Sequence, residues 1–208
     1  MILYFDTETT GLYPGNIIQL SYILADENGA HGKNFYFSVD YIEPSATLVH
    51  GITVDKLKAL SHGLDFSVYA EEILHDFSNA DIVVAHNFKF DLSFLIAEFS
   101  RLNMQFRYND SFDTMRYFTP VLKLQRKTSN AYKYPKLSEL CEYYHVYEEE
   151  ISKEVTQIFG ETTNALHEAR FDTTAMYLCV KHAKQDIQEL EELLSPRQKE
   201  LINRAIAR

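Results

Sequence analysis

Residues 5–11, FDTETTG, end the apolar run Ile2-Leu3-Tyr4-Phe5 with two carboxylates, Asp6 and Glu8, two positions apart. In an extended strand successive side chains point to opposite faces, so Asp6 and Glu8 are neighbours on one face. Like charges held that close repel each other, and ionised carboxylates beside a core are costly to desolvate. A cation between them relieves both penalties, and a divalent ion is the candidate.

Outward from this strand, residues 2–6, 17–24 and 34–39 are each short and rich in Ile, Tyr and Phe, with Gly15-Asn16 and Asn28-Gly29 between them. Connections this short predict an antiparallel meander. The pattern then changes: a helix is expected over 65–79, a short buried strand over 81–85 (DIVVA), and an amphipathic helix over 88–102. A further strand is expected at 111–113, with helices over 115–122 and 136–145, the second set off by Pro135. Residues 148–161, polar and containing Gly160, read as loop. Residues 166–183 read as a helix, and 185–208 as two short helices divided at Ser195-Pro196. Three strands followed by alternating helices and strands define an α/β class with a central mixed sheet and helices on its faces. No repeat or low-complexity linker divides the 208 residues, a length that suits one domain.

A hydrophobic content of 46% and a charged content of 24% fit a soluble globular protein. No apolar run approaches the roughly 18 residues of a membrane span, so no membrane association is expected. The chain enters its first strand without a basic segment and apolar stretch, so no secretory signal is read. Cys141 and Cys179, the two cysteines, fall in apolar helical patterns that suit reduced, buried thiols, and the expected compartment is cytoplasmic.

The net charge of −10 argues against a protein that coats long stretches of nucleic acid. One stretch departs from that balance. Residues 114–136 contain no Asp or Glu but carry Arg116, Lys123, Arg126, Lys127, Lys133 and Lys136, interleaved with Tyr117, Phe118, Tyr132 and Tyr134. Bases among aromatics suit phosphate contact and stacking along a short single strand; a solvated surface loop accounts for them equally.

Two more acids stand out. Asp91 follows DIVVA through His86-Asn87-Phe88 and falls in the first turns of a helix, where an acid is also simply favoured by the helix dipole. Asp172 lies in the first half of its helix in an otherwise apolar neighbourhood. His167 precedes it by five residues, about 140° round a regular helix. The two serve one site only if His167 lies on an irregular helix entry, and Asn164 is an N-cap type just upstream.

Asp6-Thr7-Glu8 with Thr10-Gly11, HNFKFD ending at Asp91, and HEARFD from His167 to Asp172 together resemble the three motifs of the DEDDh (DnaQ-like) 3′–5′ exonucleases. That family includes the proofreading epsilon subunit of bacterial DNA polymerase III. VHGIT at 49–53 is similar to a segment between the first two motifs of those proteins. The resemblance implies a ribonuclease H-like fold with a five-stranded mixed sheet, an exonuclease domain over 1–184, and a helical tail over 185–208 packed on that domain or on a partner. It implies a metal-dependent enzyme that removes nucleoside 5′-monophosphates from the 3′ end of single-stranded DNA, in proofreading or repair. Asp6, Glu8, Asp91 and Asp172 would hold metal and His167 would activate water. Thr9, Thr10, Leu12, His50, Asn87 and Phe88 would meet substrate. Four carboxylates balance two Mg²⁺ or Mn²⁺ ions, and hard oxygen ligands suit these better than zinc. No residue type in the motifs reads the 2′-OH, so an exoribonuclease of the same family is the alternative. A non-catalytic nucleic-acid-binding protein on the same fold is a second one. A polymerase subunit is a possible partner, and neither that role nor the oligomeric state is legible in the tail.

Overall fold

A computed structural model describes residues 1–160 and 168–194. Its centre is a five-stranded sheet in the order β3-β2-β1-β4-β5. β1 (Ile2–Thr9) pairs antiparallel with β2 (Ile17–Asp26), which pairs antiparallel with β3 (Gly29–Tyr36). On its other side β1 runs parallel to β4 (Ile82–Ala85), and β4 parallel to β5 (Ser111–Asp113). The expected meander and mixed sheet are therefore present. β3 begins earlier than the expected 34–39 because the tight turn at Asn28-Gly29 starts pairing at once, with Gly29 opposite Asp26.

Side-chain alternation along β1 divides the interior into two cores. Leu3 and Phe5 face a layer built from α3 (Ala70–Asn79) and α4 (Phe88–Arg101), in which Phe77 packs edge-on against Phe5 with ring centroids 5.0 Å apart. Ile2 and Tyr4 face α8 (Ala169–Asp186) and contribute to a cluster containing Phe171, Ala175 and Met176. The strand period of two thus assigns Asp6 and Glu8 to the α8 side and Thr7 to the α4 side.

Other elements depart from the sequence expectations. Of the loop expected over 148–161, residues 148–159 instead form α7 (Glu148–Phe159), and residue 161 lies outside the described residues. Its three leading glutamates complement the positive helix N-terminus, and the buried pair Ile151 and Val155 forms a stripe one turn long that the polar composition hid. Gly160, at φ 73°, ends it in the left-handed conformation that glycine adopts without strain. Two short helices, α1 (Pro44–His50) and α2 (Val54–Ser61), were not anticipated; VHGIT is the joint between them, Gly51 closing the first and the Thr53 hydroxyl capping the second. The helix expected over 65–79 is a 3-10 turn at Phe66–Val68 followed by α3.

In the basic stretch, α5 (Thr114–Leu122) is followed by a small hairpin, β6 (Gln125–Arg126) and β7 (Ser129–Tyr132), and then by α6 (Leu137–Tyr143). Cys179 is buried on α8 and Cys141 half-buried on α6; both are free thiols, with their sulfurs 3.6 Å apart. The first tail helix is α9 (Gln188–Leu193). His167, Asn164, the expected helix start at Leu166 and the tail from Ser195 onward lie outside the described residues. No described helix is long and apolar enough to cross a membrane.

Candidate active site

β1 outruns its parallel neighbour. Tyr4 pairs with Val84 and β4 ends one residue later, so β1 from Asp6 onward projects past the end of β4. The space beyond β4 is where the chain turns into α4, and the two layers meet there. Asp6 and Glu8 from β1 and Asp172 from the first turn of α8 converge, with one carboxylate oxygen from each within 4.8 Å of the others.

Asp91 comes from the other layer. It is 2% exposed in the first turn of α4, and its Oδ1 accepts a hydrogen bond of 2.6 Å from the Thr7 hydroxyl. It stands outside the tight trio. Its charge still reaches them: burial, then Asp91, Asp172, Glu8 and Glu168, hold the Asp6 carboxyl well above the usual carboxylate range. Burial followed by Asp172, Asp91 and Glu168 pushes Glu8 up to about 9. Burial also raises Asp91, to about 7, against the lowering effect of the Thr7 hydrogen bond. Carboxylates whose ionised forms are disfavoured by burial and by one another form a hard-oxygen site to which a divalent cation is chemically suited.

Two network residues were missed in the sequence. Glu168, at the N-cap position of α8, accepts hydrogen bonds from Arg170 Nε at 2.9 Å, from the Tyr36 hydroxyl at 3.2 Å and from Gln19 Nε2. Gln19 lies opposite Glu8 in the β1–β2 register, and its Oε1 accepts from the Ala169 amide at 3.3 Å. These bonds tie the start of α8 to β2 and so set Asp172 against Glu8. The only sequence signal was two polar residues, Gln19 and Ser21, inside an apolar strand, which need partners when buried.

A cleft of about 310 Å³ beside the carboxylates is lined by residues that include Thr7, Glu8, Thr9, Leu12, Val49, His50 and Phe90. Thr9, Leu12 and His50 thus lie together. Leu12 is 79% exposed at the rim. The Ile52 amide donates to His50 Nδ1 at 3.0 Å, which leaves the ring proton of the neutral imidazole on Nε2. Thr10 does not line this cleft; its hydroxyl accepts from the Asn16 amide at 3.0 Å and braces the loop after β1. Phe88 is a core residue, edge-on to Phe5 at 5.8 Å, and Phe90 is the aromatic that faces the cleft.

Asn87 makes the turn from β4 into α4 at φ 75° and ψ 49°, a left-handed conformation that asparagine tolerates better than other side-chain-bearing residues. Its amide donates to Asp113 Oδ1 at 3.3 Å, joining the start of α4 to the end of β5. Asn87→Ala is expected to cost about 1–2 kcal/mol of stability and Asn87→Gly much less. Urea unfolding midpoints of the two variants check this.

The mixed five-stranded sheet with helices on its faces is a ribonuclease H-like fold, and the family match identifies an exonuclease-type enzyme. The RNase_T exonuclease family matches residues 3–151, and the chain belongs to that family. Among curated relatives, DNA polymerase III subunit epsilon of Pasteurella multocida is 28% identical over 135 residues, 60% of this chain and 50% of that protein. The chain thus spans about half the length of that relative. Among solved structures, Exonuclease X in complex with 5′ overhanging duplex DNA superposes with a TM-score of 0.62 at 18% identity, covering 89% of this chain and 92% of that one. The zinc-bound E. coli ExoI–ssDNA complex superposes at 0.66 with 21% identity, covering 92% of this chain and 42% of that one. At these identities the structures speak for the fold.

Proposed function

We propose that this chain is a metal-dependent 3′–5′ exonuclease that hydrolyses the terminal phosphodiester bond of single-stranded DNA and releases nucleoside 5′-monophosphates. The observation that carries this reading is the convergence of Asp6, Glu8 and Asp172, with Asp91 beside them, at the open end of β1. In it, the trio and Asp91 hold two Mg²⁺ or Mn²⁺ ions. When bound, such ions polarise phosphoryl oxygens and make a water acidic enough to attack phosphorus. His167 would act as the general base toward the attacking water, the role that imidazole most often fills. The cleft supplies the rest. Thr9 and His50 meet the terminal sugar and base, while Leu12, exposed at the rim, offers an apolar surface to the neighbouring base. Contacts of this kind read an end rather than a base sequence. Residues 1–184 form the catalytic domain in this reading and 185–208 a tail. The protein works in a non-membrane, cytoplasmic setting, in proofreading or repair, and a polymerase is a candidate partner by likeness to the epsilon subunit.

The test is a time course on 5′-labelled single-stranded DNA and RNA of one sequence, with Mg²⁺, with Mn²⁺ and with excess chelator. A chelator-sensitive ladder that shortens one nucleotide at a time from the 3′ end, faster on DNA, is expected. Faster cleavage of RNA would transfer the assignment to an exoribonuclease, and no ladder in either metal would end it.

A further inference from the structure

The hairpin β6–β7 has no evident structural purpose. Every residue of its two strands is exposed and none joins a hydrophobic cluster. Two-stranded hairpins are marginal in water without such support. This one is nevertheless tied down at its base. The Lys133 amide donates to the Leu124 carbonyl at 2.8 Å, Arg126 Nε donates to the Tyr132 carbonyl at 3.2 Å, and Lys133 pairs with Glu139.

Its root is fastened to the site. The buried Pro135 offers its carbonyl to His86 Nε2 at 3.0 Å, and His86 Nδ1 lies 3.0 Å from the Thr114 hydroxyl. His86 is the residue between β4 and Asn87, so it stands at the sheet end where Asp6, Glu8 and Asp91 meet. At the start of α5, Asp113 receives the amides of both Asn87 and Arg116. The hairpin therefore leaves the body from the rim of the carboxylate site.

Its charge is unspent. Arg116 has Asp113 at 3.5 Å, and Glu139 is shared by Lys133 and Lys136, but Lys123, Arg126 and Lys127 form no ion pair among the described residues. In a chain of net charge −10 these cations stand together without an acid between residues 114 and 136. Tyr132 and Tyr134 beside them are 38% and 50% exposed. Cations next to exposed aromatic rings match one polymer in particular, a single strand with a phosphate and a stacking base in every unit.

We propose that the hairpin and its flanks are a docking arm for the nucleic-acid strand 5′ of the nucleotide being removed, with lysines on phosphates and tyrosines under bases. This rests on the exonuclease reading above and adds a second subsite to it. The arm raises affinity for strands long enough to reach it and leaves the chemistry at the carboxylates untouched.

The experiment uses the full chain with two double variants, Lys123→Gln with Lys127→Gln and Tyr132→Ala with Tyr134→Ala. Each is assayed on a 5′-labelled oligothymidine of about 20 nucleotides, a length ample for several phosphate contacts. The second substrate is the p-nitrophenyl ester of thymidine 5′-monophosphate, which has no upstream strand. KM for the oligonucleotide is expected to rise about thirtyfold in each double variant, equivalent to two lost contacts of about fivefold each, with turnover of the ester unchanged. For the lysine variant the slope of log(kcat/KM) against log salt should also flatten by about 1.4, two single-strand phosphate contacts at 0.7 each. Anisotropy of the labelled strand in chelator measures binding separately from cleavage. Variants that bind and cut the strand with wild-type KM and salt slope overturn the docking arm alone. A wild type that binds the strand through the hairpin but cuts neither substrate overturns the exonuclease reading alone.

Discussion

Asp6→Asn is expected to lower phosphodiester hydrolysis by about 10³-fold, the scale on which losing one charge-stabilising group acts, and to make the metal-free protein more stable. The loss follows from removing one of three converging carboxylates. The gain follows from the environment that carboxylate endures: a half-buried, desolvated position facing Asp91, Asp172, Glu8 and Glu168. Asparagine keeps the shape and carries no charge to desolvate or repel, so a gain of about 1–2 kcal/mol is expected, as when an active-site strain is relieved. Thermal unfolding in excess chelator, beside Mn²⁺-dependent rates, checks both halves. A variant that retains half the wild-type rate removes Asp6 from the catalytic centre.

The second large effect is a fall in stability of the metal-free protein as pH rises. The Glu8 carboxyl moves from its ordinary 4.5 to about 9, through burial and then Asp172, Asp91 and Glu168. Between those values the folded state holds a proton that the unfolded chain has released, so stability declines with increasing pH. The contribution is complete below about 4.5 and gone above about 9. Its size is on the order of several kcal/mol, since each pH unit in that window is worth about 1.4. Added Mg²⁺ or Mn²⁺ should therefore raise the unfolding temperature more at pH 9 than at pH 6, because the cation takes the place of the proton. Melting curves across that range, with chelator and with metal, give the answer; a flat chelator curve would show that the carboxylates are not crowded in solution.

What could be read from the chain beforehand was whatever strong local patterning expressed. The alternation through Ile2-Leu3-Tyr4-Phe5-Asp6 placed both acids on one face, and DIVVA followed by HNFKFD placed Asp91 at a helix start. The turn at Asn28-Gly29 announced the hairpin. Tertiary context determined the rest. α7 shows only a two-residue buried stripe amid glutamates, so its helicity depends on packing against α8 rather than on a visible amphipathic pattern. Phe88 and Phe90 are the same residue type two positions apart, and only the turn at Asn87 decides which enters the core and which faces the cleft. Glu168 was invisible as a network residue because its partners Gln19 and Tyr36 lie some 130 or more positions away in the chain, 149 for Gln19 and 132 for Tyr36.

Because β4 stops at Ala85, Asp172 is held by the α8 core and Asp91 by the α4 core, on either side of the strand that carries Asp6 and Glu8. The gap between them is set by how thick each core is, so distant apolar side chains work as shims. Met176, on the helix that carries Asp172, and Phe94, one turn beyond Asp91, touch no reacting group. Trimming either one lets its layer settle toward the sheet and resets the separation of the carboxylates, and a displacement of about 1 Å can cost on the order of 10²-fold in rate. Two packed interiors, neither of which meets the nucleic acid, thereby act as the calibration of the centre between them.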